Sequence, residues 1–155
     1  MISVEIDVID PAWSAALPDA EGLVGQAALA VPGEGEVAII LCDDEEVRRL
    51  NGRFRGKDVA TNVLSFPAGA NLLGHLGDIA LAFGTCVREA ADQGKPLADH
   101  LRHLVVHGLL HLLGYDHQDE TEGDVMEALE RTILGGLGVP DPYDDAGQDR
   151  HRAEP

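Results

Sequence analysis

The chain is short of positive charge, of cysteine and of long apolar runs, and each shortage excludes a class of protein. Lys and Arg number 11 against 28 Asp and Glu, a formal net charge of -17. Nucleic-acid binders normally carry a basic footprint, so generic polyanion binding over the whole surface is excluded. Cysteine occurs twice, at Cys42 and Cys86, each in or beside an apolar run. Two such thiols read as reduced core residues and offer no disulfide framework of the secreted kind. No apolar run reaches bilayer length, so no membrane partner is expected. The opening residues Met1 to Asp7 place acids where a signal peptide needs bases, and a cytoplasmic protein is the expectation.

What is present is an ordinary globular balance. The 155 residues are 45% hydrophobic and 25% charged, enough for one domain with a real core. Residues 2–9 alternate apolar and polar, the period of a half-buried strand. A helix is predicted over about 20–31, a strand over 36–42, and strands again over 61–66 and 76–83. Asp43 to Glu46 opens a helix in capping-box fashion, with acids at the positive end of the dipole. Further helices are predicted from Gly84 or Thr85 to Gln93, from Leu97 to Leu113, and from Glu120 to Leu137. The helix from Leu97 has little polar surface and should be largely buried. These elements predict a single small α+β domain over 1–143, with a mixed sheet of about four strands covered by about five helices. Residues 144–155 lack periodicity and are expected to form a disordered acidic tail.

Two clusters carry chemistry. The first is His107-Gly-Leu-Leu-His111-Leu-Leu-Gly114-Tyr-Asp-His117. His107 and His111, four residues apart, share one helix face, and two such imidazoles can reach one zinc ion at about 2.0–2.1 Å. Gly114 can take the left-handed conformation that ends the helix, letting the chain return His117 to the same ion. The metal site is thus expected on a buried helix and the turn after it. Three protein ligands leave one position for water, the mark of a catalytic site. A zinc peptidase of the His-Glu-x-x-His kind needs a glutamate after the first histidine, where this chain has Gly108. His103, one turn earlier, suits a supporting or packing role, as does Asp116. Asp78 is a candidate to orient a ligand histidine or take a proton, and Ser65 has no evident base.

The second cluster is Arg48, Arg49, Arg53, Arg55 and Lys57, five of the 11 basic residues within ten positions. The first three read equally well as a solvated helix end or as a local attraction for anions.

The histidine signature resembles that of the YbeY family of bacterial endoribonucleases and rRNA maturation factors. Arg55-Gly-Lys-Asp, Thr61-Asn-Val-Leu-Ser-Phe-Pro67, Leu76-Gly-Asp-Ile79, Gly94-Lys-Pro96 and Asp141-Pro-Tyr143 match the family in order and approximate spacing. The resemblance covers roughly residues 36–143. It implies a single-strand-specific, metal-dependent endoribonuclease acting in 16S rRNA 3′-end maturation and late 70S ribosome quality control. His107, His111 and His117 would hold one zinc ion per chain, and Arg55 would act in the RNA-processing site. The implied partners are single-stranded rRNA and the ribosome or a small-subunit protein. A non-catalytic, zinc-stabilised assembly factor is the main alternative, and a zinc peptidase the weaker one.

Overall fold

The computed structural model describes residues 1–68, 74–116 and 119–143. Chain order is β1 (Ile2–Val8), α1 (Ala12–Ala16), α2 (Ala20–Ala30), β2 (Gly35–Cys42), α3 (Asp44–Arg55), β3 (Val63–Pro67), β4 (His75–Ala82), α4 (Phe83–Gln93), α5 (Leu97–Leu112) and α6 (Glu120–Gly136). The described residues therefore hold the four expected strands and one helix more than expected. The addition is α1, a single turn behind Pro11, too short to leave a periodic signal. It forms because Trp13 is anchored: its ring is buried, its Nε1 donates to the Cys42 carbonyl at 3.0 Å, and Phe83 meets it edge-on at 5.1 Å.

The sheet order is β1-β2-β4-β3. β1, β2 and β4 run parallel, with Ile6 opposite Ile39 and Ile39 opposite Ile79. β3 is an antiparallel edge strand, placing Ser65 opposite Ile79 and Phe66 opposite Asp78. Alternation along the strands separates two apolar layers. Val37, Ile39, Leu41, Ile79 and Leu81 face the larger core with α2 and α5, while Cys42, Leu64, Ala80 and Ala82 pack with Val47 of α3 on the other side. β3 thus has α5 on one face and α3 on the other.

α5 is as buried as its composition requires: Leu101, Val105, Val106 and Leu109 are inaccessible. Truncating one such leucine to alanine costs about 2–5 kcal/mol. Gly108 lets this helix approach the sheet, since a Cβ there would lie 3.0 Å from Ile79 Cδ1 and 3.2 Å from Ser65 Oγ. Gly114 then stops it at φ 106°, with the Tyr115 amide donating back to the Leu110 carbonyl at 3.0 Å.

Asp43 caps α3 through the Glu46 amide at 2.8 Å, as the capping pattern predicts. The helix runs on through Asn51-Gly52 to Arg55 and closes at Gly56, φ 70°. Asn51 is a buried tie, donating to the Val59 carbonyl at 2.9 Å. Cys42 and Cys86 are buried thiols. Burial, aided by nearby acids, pushes Cys42 up to about 12, so it stays protonated and inert. Among the described residues no helix is long and apolar enough to cross a membrane.

Candidate metal centre and the cationic strand edge beside it

The four-residue rhythm of α5 stacks His103, His107 and His111 along one face, with ring centroids 6.3 and 4.7 Å apart. His107 and His111 turn their Nε2 atoms toward each other at 3.2 Å. Two nitrogens on one tetrahedral zinc, each about 2.05 Å from the metal, would stand about 3.3 Å apart. The spacing of the pair therefore matches that of two ligands on one ion.

The opposite side of His107 explains how that pose is held. His107 Nδ1 donates to Glu130 Oε2 at 2.5 Å, and Tyr143 Oη donates to the other carboxylate oxygen. With its proton committed to Nδ1, His107 keeps the Nε2 lone pair for a metal. Glu130 is fully buried, and a buried carboxylate is destabilising unless donors surround it. Burial by itself would raise its pKa, but the nearby His103 ring and the hydrogen bond from His107 prevail and hold it well below the usual carboxylate range. It is an anion throughout the neutral range. The His103 pKa is lowered too, since burial outweighs its contact with Glu130 and favours the neutral ring. Among the described residues its Nδ1 has no hydrogen-bond partner, while its Nε2 lies 3.4 Å from Tyr143 Oη.

His103, His107 and Glu130 also bring ligand-type atoms within 4.8 Å of one another, a cluster able to hold a divalent ion. Distance separates the two arrangements. An ion bound at about 2.0–2.2 Å to both His107 and Glu130 would hold their atoms nearer 3 Å. The observed 2.5 Å is that of a charge-assisted hydrogen bond. His107 is thus common to two candidate ion positions, one shared with His111 and one with His103 and Glu130.

Across the strand edge lies the cationic cluster. Arg55 Nη2 donates to the Ser65 carbonyl at 2.5 Å, and Ser65 Oγ reaches the Gly108 carbonyl at 3.4 Å. One residue of β3 therefore links Arg55 to the peptide next to His107. Arg48 and Arg49 are accounted for on the helix itself: Arg48 pairs with Glu45 and Asp58, and Arg49 with Glu46. For these two the solvated-helix reading fits. Arg53, Arg55 and Lys57 meet no carboxylate among the described residues, leaving the positive charge at the end of α3.

The remaining expectations divide. Asp78 contacts His75 at 3.2 Å and is exposed, so the histidine it steadies is neither His107 nor His111. Asp116 follows the Gly114 turn and is half-buried. His117 lies outside the described residues. Tyr143 entered the sequence reading only within the Asp141-Pro-Tyr143 match and Glu130 not at all, although a signal existed: Glu130 falls in the periodic series Met126, Glu130, Ile133, Leu134, at a position that should be apolar. An acid on the buried stripe of a helix needs a partner, and the helical histidines are the available ones.

The comparisons span both halves of this arrangement. The family model described as Endoribonuclease YbeY matches residues 18–138. A Paramagnetospirillum magneticum protein named Endoribonuclease YbeY is 52% identical, covering 92% of this chain and 96% of its own. Its Maricaulis maris namesake is also 52% identical, over 97% and 99%. A Thermotoga maritima protein solved in solution shares the fold, with a TM-score of 0.55, 24% identity, and coverage of 96% of this chain and 100% of that one. Near end-to-end likeness to these relatives carries the assignment: the chain belongs to the YbeY endoribonuclease family.

Proposed function

We propose that this protein is a metal-dependent, single-strand-specific endoribonuclease, that His107, His111 and His117 hold one zinc ion, and that Arg55 is a catalytic residue. The observation that carries the reading is the 3.2 Å Nε2 pair of His107 and His111, linked through Ser65 to Arg55. When bound, zinc polarises a phosphoryl oxygen or lowers the pKa of a bound water toward ~7. The protein's own part is separable. Glu130 and Tyr143 hold His107 in one tautomer and one pose, and Arg55 offers a guanidinium fork that grips a phosphate and offsets charge developing on it.

The proposed role is 16S rRNA 3′-end maturation and late 70S ribosome quality control in the cytoplasm. A chain of net charge -17 has little general attraction for RNA. Docking on the ribosome or on a small-subunit protein would raise the substrate's effective concentration at the cationic edge. A peptidase is opposed sterically as well as chemically. A side chain at position 108 would meet Ile79 and Ser65, so the usual glutamate base does not fit without movement.

The test is cleavage of a single-stranded RNA spanning a 16S rRNA 3′ end, by zinc-loaded protein and by His111→Ala, with and without chelator. Cleavage by wild type alone, abolished by chelation, is expected, along with loss of zinc from the variant. Full zinc stoichiometry in His111→Ala would remove it from the ligand set. No cleavage by zinc-bound wild type would favour a non-catalytic assembly factor.

A further inference from the structure

The last turn of α3 exposes an aromatic ring that the site described above does not use. Phe54 is 60% exposed, in a chain with three Phe, two Tyr and one Trp. Phe83 packs edge-on against buried Trp13 in the core, whereas Phe54 stands at the surface, steadied edge-on by Phe66 at 5.6 Å. The Arg53 guanidinium lies 5.3 Å from the Phe54 ring centroid, and the Arg55 guanidinium 5.6 Å from that of Phe66. Val59, in the loop tied back to α3 by Asn51, is exposed at 57%.

Resting on the ribonuclease reading, we infer that Phe54 is a stacking platform for an unpaired RNA base, with Arg53, Arg55 and Lys57 taking the adjoining phosphates. Charge selects the occupant. Arg48 and Arg49 are neutralised by acids of their own neighbourhood, whereas Arg53 over Phe54, Arg55 over Phe66 and Lys57 just beyond α3 meet no carboxylate among the described residues. On a surface dominated by acids, this is a place where an aromatic face and uncompensated positive charge coincide. Single-stranded nucleic acid presents the complement, a π-face on each base and one negative charge per linkage. Duplex RNA does not, because its base faces are already stacked. The platform would thereby give the protein its preference for single strands, and the Arg55–Ser65 contact sets it next to the histidine helix.

Phe54→Trp supplies the reporter, since the native Trp13 is fully buried and serves as an internal constant. The zinc-loaded variant would be titrated with a single-stranded 2′-O-methyl oligoribonucleotide, its duplex, and an abasic chain of equal length. Quenching by the single strand alone is expected. Phe54→Ala and Phe54→Leu should each weaken single-strand binding about tenfold or more, with zinc content and melting temperature unchanged. Leucine restoring wild-type affinity would mean a general apolar contact and overturn stacking. So would equal quenching by the abasic chain, or wild-type binding by both variants. If wild-type protein binds none of the three, the ribonuclease reading fails and the platform with it. Binding by wild type that is insensitive to Phe54 overturns the platform alone.

Discussion

The two faces of β3 handle charge in opposite ways. Behind α5, charge is buried and surrounded: Glu130 is inaccessible and touches His103, His107 and Tyr143. At the end of α3, charge is exposed and unmatched, with Arg53, Arg55 and Lys57 meeting no described carboxylate. The difference follows from what each side would hold. A metal ligand must be fixed to a few tenths of an ångström, which demands a packed, satisfied surrounding. A flexible polyanion is better met by cations in solvent, where long side chains adjust and counterions are released.

If the two sides are independent, removing one function should leave the other intact. Arg55→Ala should reduce RNA cleavage about 10²–10³-fold, the usual loss when a charge-stabilising donor is deleted. Zinc content and melting temperature should stay at wild-type values, because Arg55 is a surface residue bonded to one carbonyl. Loss of zinc in that variant would mean the two sides are one structural unit, and the assignment of Arg55 to phosphate handling would fall.

The converse substitution is made on the buried side. Glu130→Gln preserves shape but offers an amide where His107 expects a carboxylate, and zinc affinity should drop about 10–100-fold. Tyr143→Phe removes one donor to Glu130 and should cost less. Competition with a chelating dye would measure both. An increase in affinity with Glu130→Gln would reverse the picture, indicating that the carboxylate competes for the ion. RNA affinity of the Gln variant should stay within about twofold of wild type, measured with a non-cleavable strand.

How much of this was legible in the sequence depends on range. β1 declared itself by alternation, β2 by a β-branched and aliphatic run, and His107 and His111 by a spacing that only a helix makes meaningful. α1 was missed because one turn has no period, and Trp13 holds it by a contact to Cys42, 29 residues away. Glu130 lies 23 residues from His107, and Tyr143 another 13 beyond Glu130, so their meeting depends on how α6 and the segment after it fold back on α5. A histidine pair can be read from local geometry. The acid that orients it can be suspected only as a wrong residue on an apolar stripe.

Salt offers a gentler probe. If three cations at the end of α3 carry the RNA, the single-strand slope of log affinity against log salt should be near -2. Raising salt from about 50 to 200 mM would then weaken RNA binding about 20-fold. Zinc retention should not change over the same range, because the ion would be held by close ligand contacts that salt screens poorly. A flat RNA curve would remove the cationic edge from binding.

The smallest effect concerns the strut between the two sides. Glu89 of α4 accepts from His100 of α5 at 2.8 Å and from Asn62, just before β3, at 2.9 Å. Burial pushes its carboxyl upward, but the bonds to His100 and Asn62 outweigh that and leave it below its ordinary value near 4.5. A group depressed on folding binds fewer protons folded than unfolded, so its stabilisation is complete above about 4.5 and disappears as pH falls through the folded value. Melting of the zinc-loaded wild type should therefore decline more steeply below about pH 4.5 than melting of Glu89→Gln. Acid also releases zinc from its histidines, but that loss is common to both proteins and cancels in their difference. Parallel acid limbs would mean that Glu89 is equally stabilised in the unfolded chain. The link between the histidine helix and the cationic edge would then rest on Ser65 and the apolar packing of β3 against α5.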